Sequence, residues 1–519
     1  MCLSMLAPAH TLKHLNTQTP KYSITLFTFA ATEFSTMQRK FVTNLALVLA
    51  LNLLIKPFWV LFIDRDVQNA VGTEQYGFYY AIFNFSFLLN ILLDLGITSF
   101  NNKNIAQNNH LLSKHFSSIV LLRILLAGLF SIVTLLGGLI IGYTDDMMKM
   151  LIAVMFNQIL ISFILYLRSN LAGLHLFKTD SIISVMDRLI MTVICGFLLL
   201  THKEKGSFDI RWFVYAQTAA YFITALITLM IVIDKAKLKR LAWRWPFFMM
   251  ILKKSYPYAV LVLMMTFYSY IGSVMIERML PFRVGANQAG IYASANRLLD
   301  AANMIAFLFA GLLLPIFARM IKLKHNVEPM VQLSYSLLVI PAIIVSICCY
   351  FFSFQLMQQM YGVPNALESS PVFKVLMCCF VPISSVYIFG TLLTANGNLK
   401  QLNLMASTGM AMNIILNIIL IPRFQAWGAA LSSITTQMLM ALAQVLMAQK
   451  IFQFRKNSQL LFSTGALILS AIAINMIVSS LHMNWMIRFI IAAAGCFAVA
   501  FALRLISIKN LFRILREET

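Results

Sequence analysis

Lipid makes an ionisable side chain costly, so one placed inside an apolar run marks a cavity, a charged partner or a transport pathway. Lys56 is the clearest case in this sequence, with Asn52 four residues before it and Pro57 directly after. Asn52 and Lys56 share one helix face, and Pro57 frees a carbonyl that a cavity or a neighbour has to satisfy. A cation lining a central pathway fits these residues better than a lysine snorkelling from a tilted helix. A second polar stripe holds Asn296, Arg297, Asp300 and Asn303, in which Arg297 and Asp300 are three residues apart. An internal ion pair and a substrate contact are equal readings of that stripe. Arg123, Asp94 and the neighbours Asp187 and Arg188 also stand inside apolar runs, each as readily a structural pair as a pathway residue. Glu277 and Arg278 close another run, where an interfacial position accounts for them. Together Lys56, Arg123, Arg188 and Arg297 favour an anionic substrate group, because a phosphate is neutralised best by Arg or Lys in a partly dry cavity.

The elements that must hold these residues follow from composition. Of 519 residues, 60% are hydrophobic and 11% charged, where a soluble domain carries about a quarter charged. The chain reads as an all-α integral membrane protein, since lipid leaves a backbone group no partner outside its own helix. The net charge of +22 sits in short segments between apolar runs. That is the positive-inside pattern, not a nucleic-acid-binding face. The seven cysteines make no CxxC and the eight histidines no HExxH, so neither a metal nor another cofactor is expected. No P-loop or nucleophile elbow is present either, and the chain does not read as an enzyme.

Requiring about 20 mostly apolar residues per crossing gives spans at 41–63, 76–100, 116–143, 149–170, 180–200 and 211–233. A second set follows at 254–278, 290–317, 331–352, 372–394, 401–421 and 427–449, then two more at 459–480 and 485–507. With the N-terminus inside, most Lys and Arg fall in cytoplasmic segments, the largest group being Lys235, Lys237, Lys239, Arg240, Arg244, Lys253 and Lys254. Asp64, Asp66, Asp145 and Asp146 then fall in outer loops, and both termini are cytoplasmic.

One stretch repeats. Gly72, Gln75, Gly77 and Tyr79 of GTEQYGFY recur 213 residues later as Gly285, Gln288, Gly290 and Tyr292 of GANQAGIY. Six spans separate the copies, so the duplicated units are parallel, related by an axis along the membrane normal, with a substrate site expected between them. The expected organisation is an extension at 1–36 (a disordered tail or an upstream start), an N-lobe at 37–233 and a basic loop at 234–253. A C-lobe at 254–450 follows, then a helix pair with a basic tail at 451–519. Glycine and Tyr in the repeat suit tight turns, close helix approach and the membrane interface.

The motifs GTEQYGFY (72–79), DLGI (94–97), GANQAGIYASANRL (285–298) and the segment 392–431, with Asn413, Asn417, Ile421-Pro422 and Gly428-Ala429-Ala430, resemble one known family. It is the multidrug/oligosaccharidyl-lipid/polysaccharide exporter superfamily, in its polysaccharide branch of Wzx-type flippases. The resemblance covers about residues 38–506 and departs at Gln425-Ala426-Trp427, where many relatives have a Tyr-Gly pair. It implies a V-shaped pair of six-helix lobes plus a C-terminal helix pair, in the bacterial cytoplasmic (inner) membrane. The implied substrate is an oligosaccharide on polyprenyl pyrophosphate, for O-antigen, capsule or exopolysaccharide assembly alongside a polymerase and glycosyltransferases. Asn52, Asn84, Asn296 and Gln437 are candidates for the sugar, and Asp94 or Asp300 for an ion gradient. Rival readings are a cation-coupled multidrug exporter, which predicts a cavity rich in acids and aromatics, and a membrane glycosyltransferase or polymerase, which predicts a large outer loop.

Single cysteines introduced between 234 and 253 are expected to react with a membrane-impermeant maleimide in inside-out vesicles and not in intact cells; the reverse pattern inverts the topology.

Overall fold

The computed structural model describes residues 50–52, 54–98, 101, 105, 111–174, 176–202, 208–236, 245–454 and 457–506. The N-terminal extension, most of the basic loop's cationic group and the C-terminal tail lie outside them.

All described elements are helical. Residues 54–71 form α1, in which Trp59–Asp64 is a π-helical turn, and 50–52 just before it are helical as well. Gly72 ends it at φ 84°, a conformation open to glycine and strained for other residues. Thr73–Asp94 is α2, Leu111–Ile141 α3, Asp145–Gly173 α4, Phe177–His202 α5 and Ile210–Ala236 α6. Trp245–Met279 is α7, Phe282–Lys322 α8 and Glu328–Phe351 α9. The long run Ser353–Ala395 extends α9 by a few residues and then turns at Gly362 (φ 79°), after which it becomes α10. The expected outer loop 353–371 is therefore mostly helix, with the turn confined to Gly362.

Leu399–Phe452 holds two expected spans in one hairpin, broken at Gln425 (φ 53°, ψ −132°), and its arms are α11 and α12. Ser458–Ser479 and Trp485–Ala502 are α13 and α14. Twelve of the described helices are long and apolar enough to cross a membrane, the α11–α12 hairpin counted as one.

On one side α4 and α5 pack on α6, on the other α7 packs on the α11–α12 hairpin and α8 on α10, and α2 lies chiefly against α8 and α7. In the C-lobe, Asn413 of α11 donates to Thr436 of α12 at 3.2 Å and Asn417 donates to Asn413 at 2.9 Å. The pair α13–α14 docks on α9, where Asn475 lies 3.8 Å from the sulfur of Cys348 and 3.6 Å from that of Cys496.

The lobes meet where the repeat copies stand. A methyl group on Gly77 would lie 1.9 Å from the carbonyl oxygen of Ala286, and one on Gly290 would lie 2.0 Å from that of Thr73. These two contacts map onto each other under the 213-residue offset, since Gly77 corresponds to Gly290 and Thr73 to Ala286. The contact is thus isologous about the pseudo-two-fold axis. Without water to drive association, helices in lipid gain from close van der Waals packing and small residues. The other motif residues brace this crossing. Tyr79 accepts from Gln217 of α6 at 2.9 Å, and Tyr292 pairs with Ser433 of α12. Gln288 accepts the backbone N–H of Ala426 at 3.3 Å, next to the break at Gln425.

Gly77→Ala and Gly290→Ala are each expected to lower the thermal midpoint in detergent by a loss of about 1–3 kcal/mol. Gly128→Ala and Gly196→Ala, where an added methyl meets nothing within 4 Å, should leave it unchanged. Equal behaviour of the two pairs would refute the contact.

Candidate functional site

The π-helical turn of α1 decides which side chains enter the lobe interface. It follows Pro57 and adds a residue to the helical register, so that the positions beyond it are turned to a new face. Asp64, expected in an outer loop, is instead buried at the end of that turn. Its Oδ2 accepts the Tyr76 hydroxyl at 2.8 Å and lies 2.8 Å from Nε of Arg297 on α8. Arg297 also donates to the Tyr76 hydroxyl at 3.1 Å and lies over the Tyr80 ring at 5.0 Å. An ion pair therefore joins the lobes just below the glycine crossing.

Around it run further bonds between lobes. Gln68 donates to the Gly290 carbonyl and the Ser294 hydroxyl, both at 3.0 Å, and Asn84 donates to Ser273 at 2.8 Å. Asn296 donates to Tyr80 at 2.8 Å and to Asp300 at 3.2 Å. Asn69 reaches the Met360 carbonyl at 2.8 Å, and Thr73 reaches Asn365 at 3.2 Å. All of these lie in the half of the bundle that carries the repeat. Toward the other end the described interlobe packing includes Phe248, at the start of α7, against the N-lobe cluster of α3 and α6.

Three of the four expected cations come together. Lys56 has Arg188, Asp187 and Arg168 as its charged neighbours. Arg188 also lies within electrostatic reach of Arg297. Its guanidinium sits 5.8 Å from the Trp59 ring and 5.9 Å from the Tyr221 ring, with Asp187 at 3.7 Å. Lys56, Arg188 and Arg297 thus form a cationic track from the middle of α1 to the interlobe ion pair. Like charges in a partly dry seam repel one another, and Asp187 beside Arg188 and Asp64 beside Arg297 offset part of that repulsion. Asn52, one turn from Lys56, donates to Ser184 of α5 at 3.0 Å.

The fourth cation is elsewhere. Arg123 is buried inside the N-lobe, where it donates to Asp94, to Thr98 at 2.7 Å and to the Ser162 carbonyl at 2.9 Å, over the Tyr166 ring. Asp94 accepts in addition from the backbone N–H groups of Gly96 and Thr98, each at 3.1 Å. That carboxylate stabilises the turn after α2 and has little capacity left for an ion. Asp300 is half-buried near Tyr270 and Tyr387, with Asn296 and Arg297 beside it.

Sequence reasoning missed Asp64, although a signal for it existed. Extending the repeat eight residues upstream pairs Asp64-Arg65 with Glu277-Arg278 at the same offset of 213.

This architecture, two six-helix lobes meeting at a polar seam, is that of a multi-pass membrane protein. A family model described as "Polysaccharide biosynthesis protein" matches residues 26–321, more than half of the chain, and the chain belongs to that family. No curated protein sequence matches it. Among solved structures it is similar to the lipid II flippase MurJ in an inward closed conformation, with 14% identity and a TM-score of 0.63 over 90% of this chain and 99% of that one. It is also similar to an inward-facing multidrug resistance MATE transporter of the MOP superfamily, with 13% identity and a TM-score of 0.61 over 79% and 98%. A third is a MOP superfamily transporter from Pyrococcus furiosus, with 11% identity and a TM-score of 0.54 over 80% and 95%.

Breaking a buried ion pair costs about 3–5 kcal/mol. Arg123→Ala should therefore lower the thermal midpoint markedly, whereas Arg188→Ala, at a side chain that is 28% exposed, should lower it much less. A larger loss for Arg188→Ala would exchange their structural and pathway roles.

Proposed function

We propose that this protein is a flippase that carries an oligosaccharide linked through pyrophosphate to a polyprenol from the cytoplasmic to the outer leaflet. The observation that carries this reading is the track Lys56–Arg188–Arg297, three cations from three helices of both lobes, each within electrostatic reach of the next. A pyrophosphate is the constant anionic part of every such substrate, and it offers several oxygens to guanidinium and ammonium groups. Membership of a polysaccharide biosynthesis family and the fold shared with a lipid II flippase support the choice of substrate class.

Transport follows by alternating access. The lobes are joined at the end that carries the repeat, which we take as the outer end on the positive-inside pattern. The head group enters from the opposite, cytoplasmic end, the polyprenol stays in lipid, and Lys56 and Arg188 take the pyrophosphate. The sugar meets polar groups such as Asn52 and Asn296. Rocking of the lobes opens the outer end and closes the inner one. The setting is the bacterial cytoplasmic membrane with both termini inside, upstream of a polymerase for O-antigen, capsule or exopolysaccharide. Arg123 contributes by holding the N-lobe together, and Asp94 by holding Arg123. Asp300 is the carboxylate on the C-lobe side available to an ion.

The second reading, a cation-coupled multidrug exporter, draws on that same side, where Asp300 lies among Tyr270, Tyr387 and Phe307. The cationic track favours the first.

In cells lacking the gene, Lys56→Ala should lose most surface polysaccharide export while Lys56→Arg keeps it. Full export by Lys56→Ala, with no gain for Lys56→Arg, would remove Lys56 from the pathway. Drug resistance conferred in place of polysaccharide export would support the second reading.

A further inference from the structure

The 213-residue offset pairs two acids, Asp64 and Glu277, but their surroundings are not equivalent. Asp64 receives a cation from the other lobe, Arg297. The position equivalent to Arg297 under the offset is Asn84, which is neutral and bonds Ser273, one turn before Glu277. The adjacent arginines differ as well. Arg65 turns to Asp66, to which it donates at 2.9 and 2.6 Å, whereas Met279 stands at the position equivalent to Asp66. Arg278 is left beside Glu277, with 2.6 Å between Nε and Oε2. That contact lacks hydrogen-bond alignment, and both carboxylate oxygens are without a hydrogen-bond partner among the described residues. The Glu277 side chain is 1% exposed. Arg278 itself reaches across the seam. It lies 4.3 Å from the centre of the Tyr143 ring, donates to the Gly142 carbonyl at 3.3 Å and meets the Met147 sulfur at 3.1 Å.

We propose that Glu277 is a proton-binding site whose occupancy sets whether the lobes close at the repeat end. The argument is one of linkage. In the closed arrangement the carboxylate is buried with a single poorly aligned cation, and separating the lobes at this end gives it water. A buried charge without adequate hydrogen bonds is destabilising, so the proton binds more tightly to the closed arrangement than to the open one. Whatever binds one state better shifts the equilibrium toward that state. Protonation of Glu277 therefore favours closure and deprotonation favours opening. The step is simple: the carboxylate takes a proton from hydronium, one O–H bond forming on the carboxyl as one breaks on the hydronium and leaves water. Arg278 retains Tyr143 and the Gly142 carbonyl in either form. The titratable groups facing the Glu277 carboxylate among the described residues are Arg278 on its own helix and Tyr143 from the turn between α3 and α4. The site is distinct from Asp94, which Arg123 saturates, and from Asp300, which lies beside Arg297. The inference does not depend on the identity of the substrate.

The test uses the full-length protein in lipid nanodiscs, with native cysteines replaced and spin labels at Glu74→Cys and Leu367→Cys, both exposed at the repeat end on opposite lobes. Distance distributions are recorded by double electron–electron resonance between pH 5 and pH 8. The short-distance, closed population should grow severalfold on acidification. Glu277→Gln should remain closed across the range, and so should Asn84→Arg, which adds the missing cross-lobe cation at the equivalent place. A wild-type distribution that does not change with pH overturns the proposal. So does Glu277→Gln, folded by its thermal melt, that retains the wild-type pH response.

Discussion

Two helices touch backbone to backbone at Gly77 and Gly290, and the rest of the molecule is arranged to permit that contact. The space at each glycine is smaller than a methyl group, with a carbonyl oxygen of the opposite copy about 2 Å from where a Cβ would sit. In lipid, close approach of this kind replaces the hydrophobic drive that assembles soluble helices. Because the two contacts are equivalent under the duplication, the repeat behaves as a self-complementary surface within one chain. Its copies are alike because each is the other's partner.

Charge is then placed around this contact unevenly. On one side of the pseudo-two-fold Asp64 is answered by Arg297 across the seam, and Tyr76 and Tyr80 hold both. On the other side Glu277 has, among the described residues, its neighbour Arg278 as its one cation, and that arginine serves the opposite lobe as much as the acid. A perfectly symmetric seam would treat both acids alike. The asymmetry gives one of them a fixed partner and leaves the other open to a proton, while the cationic track begins at the side with the fixed pair.

The organisation of the helices was legible in the sequence because lipid imposes length and composition on each crossing. The spans at 211–233 and 459–480 differ from the helices found there by only a few residues at either end. Departures came where the backbone leaves regular geometry without a polar segment to mark it. The turn at Gly362 is one, and the break at Gln425 inside one long helical run is another. The π-helical turn after Pro57 is the most consequential, since it moves Asp64 from an expected outer loop to a buried position beside Arg297. Among the cations, residue type and depth were readable, but Arg123 and Arg188 looked the same. What separates them is that Asp94 and Ser162 lie around one, while Trp59, Tyr221 and Lys56 lie around the other.

By itself the sequence determined the class of molecule, the parallel duplication and the set of charged residues that lipid would not tolerate without a purpose. Those follow from local composition and from a repeat, properties that do not depend on how helices are placed. Only the tertiary structure decided what the GxxQxGxY stretch is for, which acid meets Arg297 and which cations share a seam. Such pairings depend on helix rotation, and one extra residue in a helical turn is enough to change the face that a side chain presents.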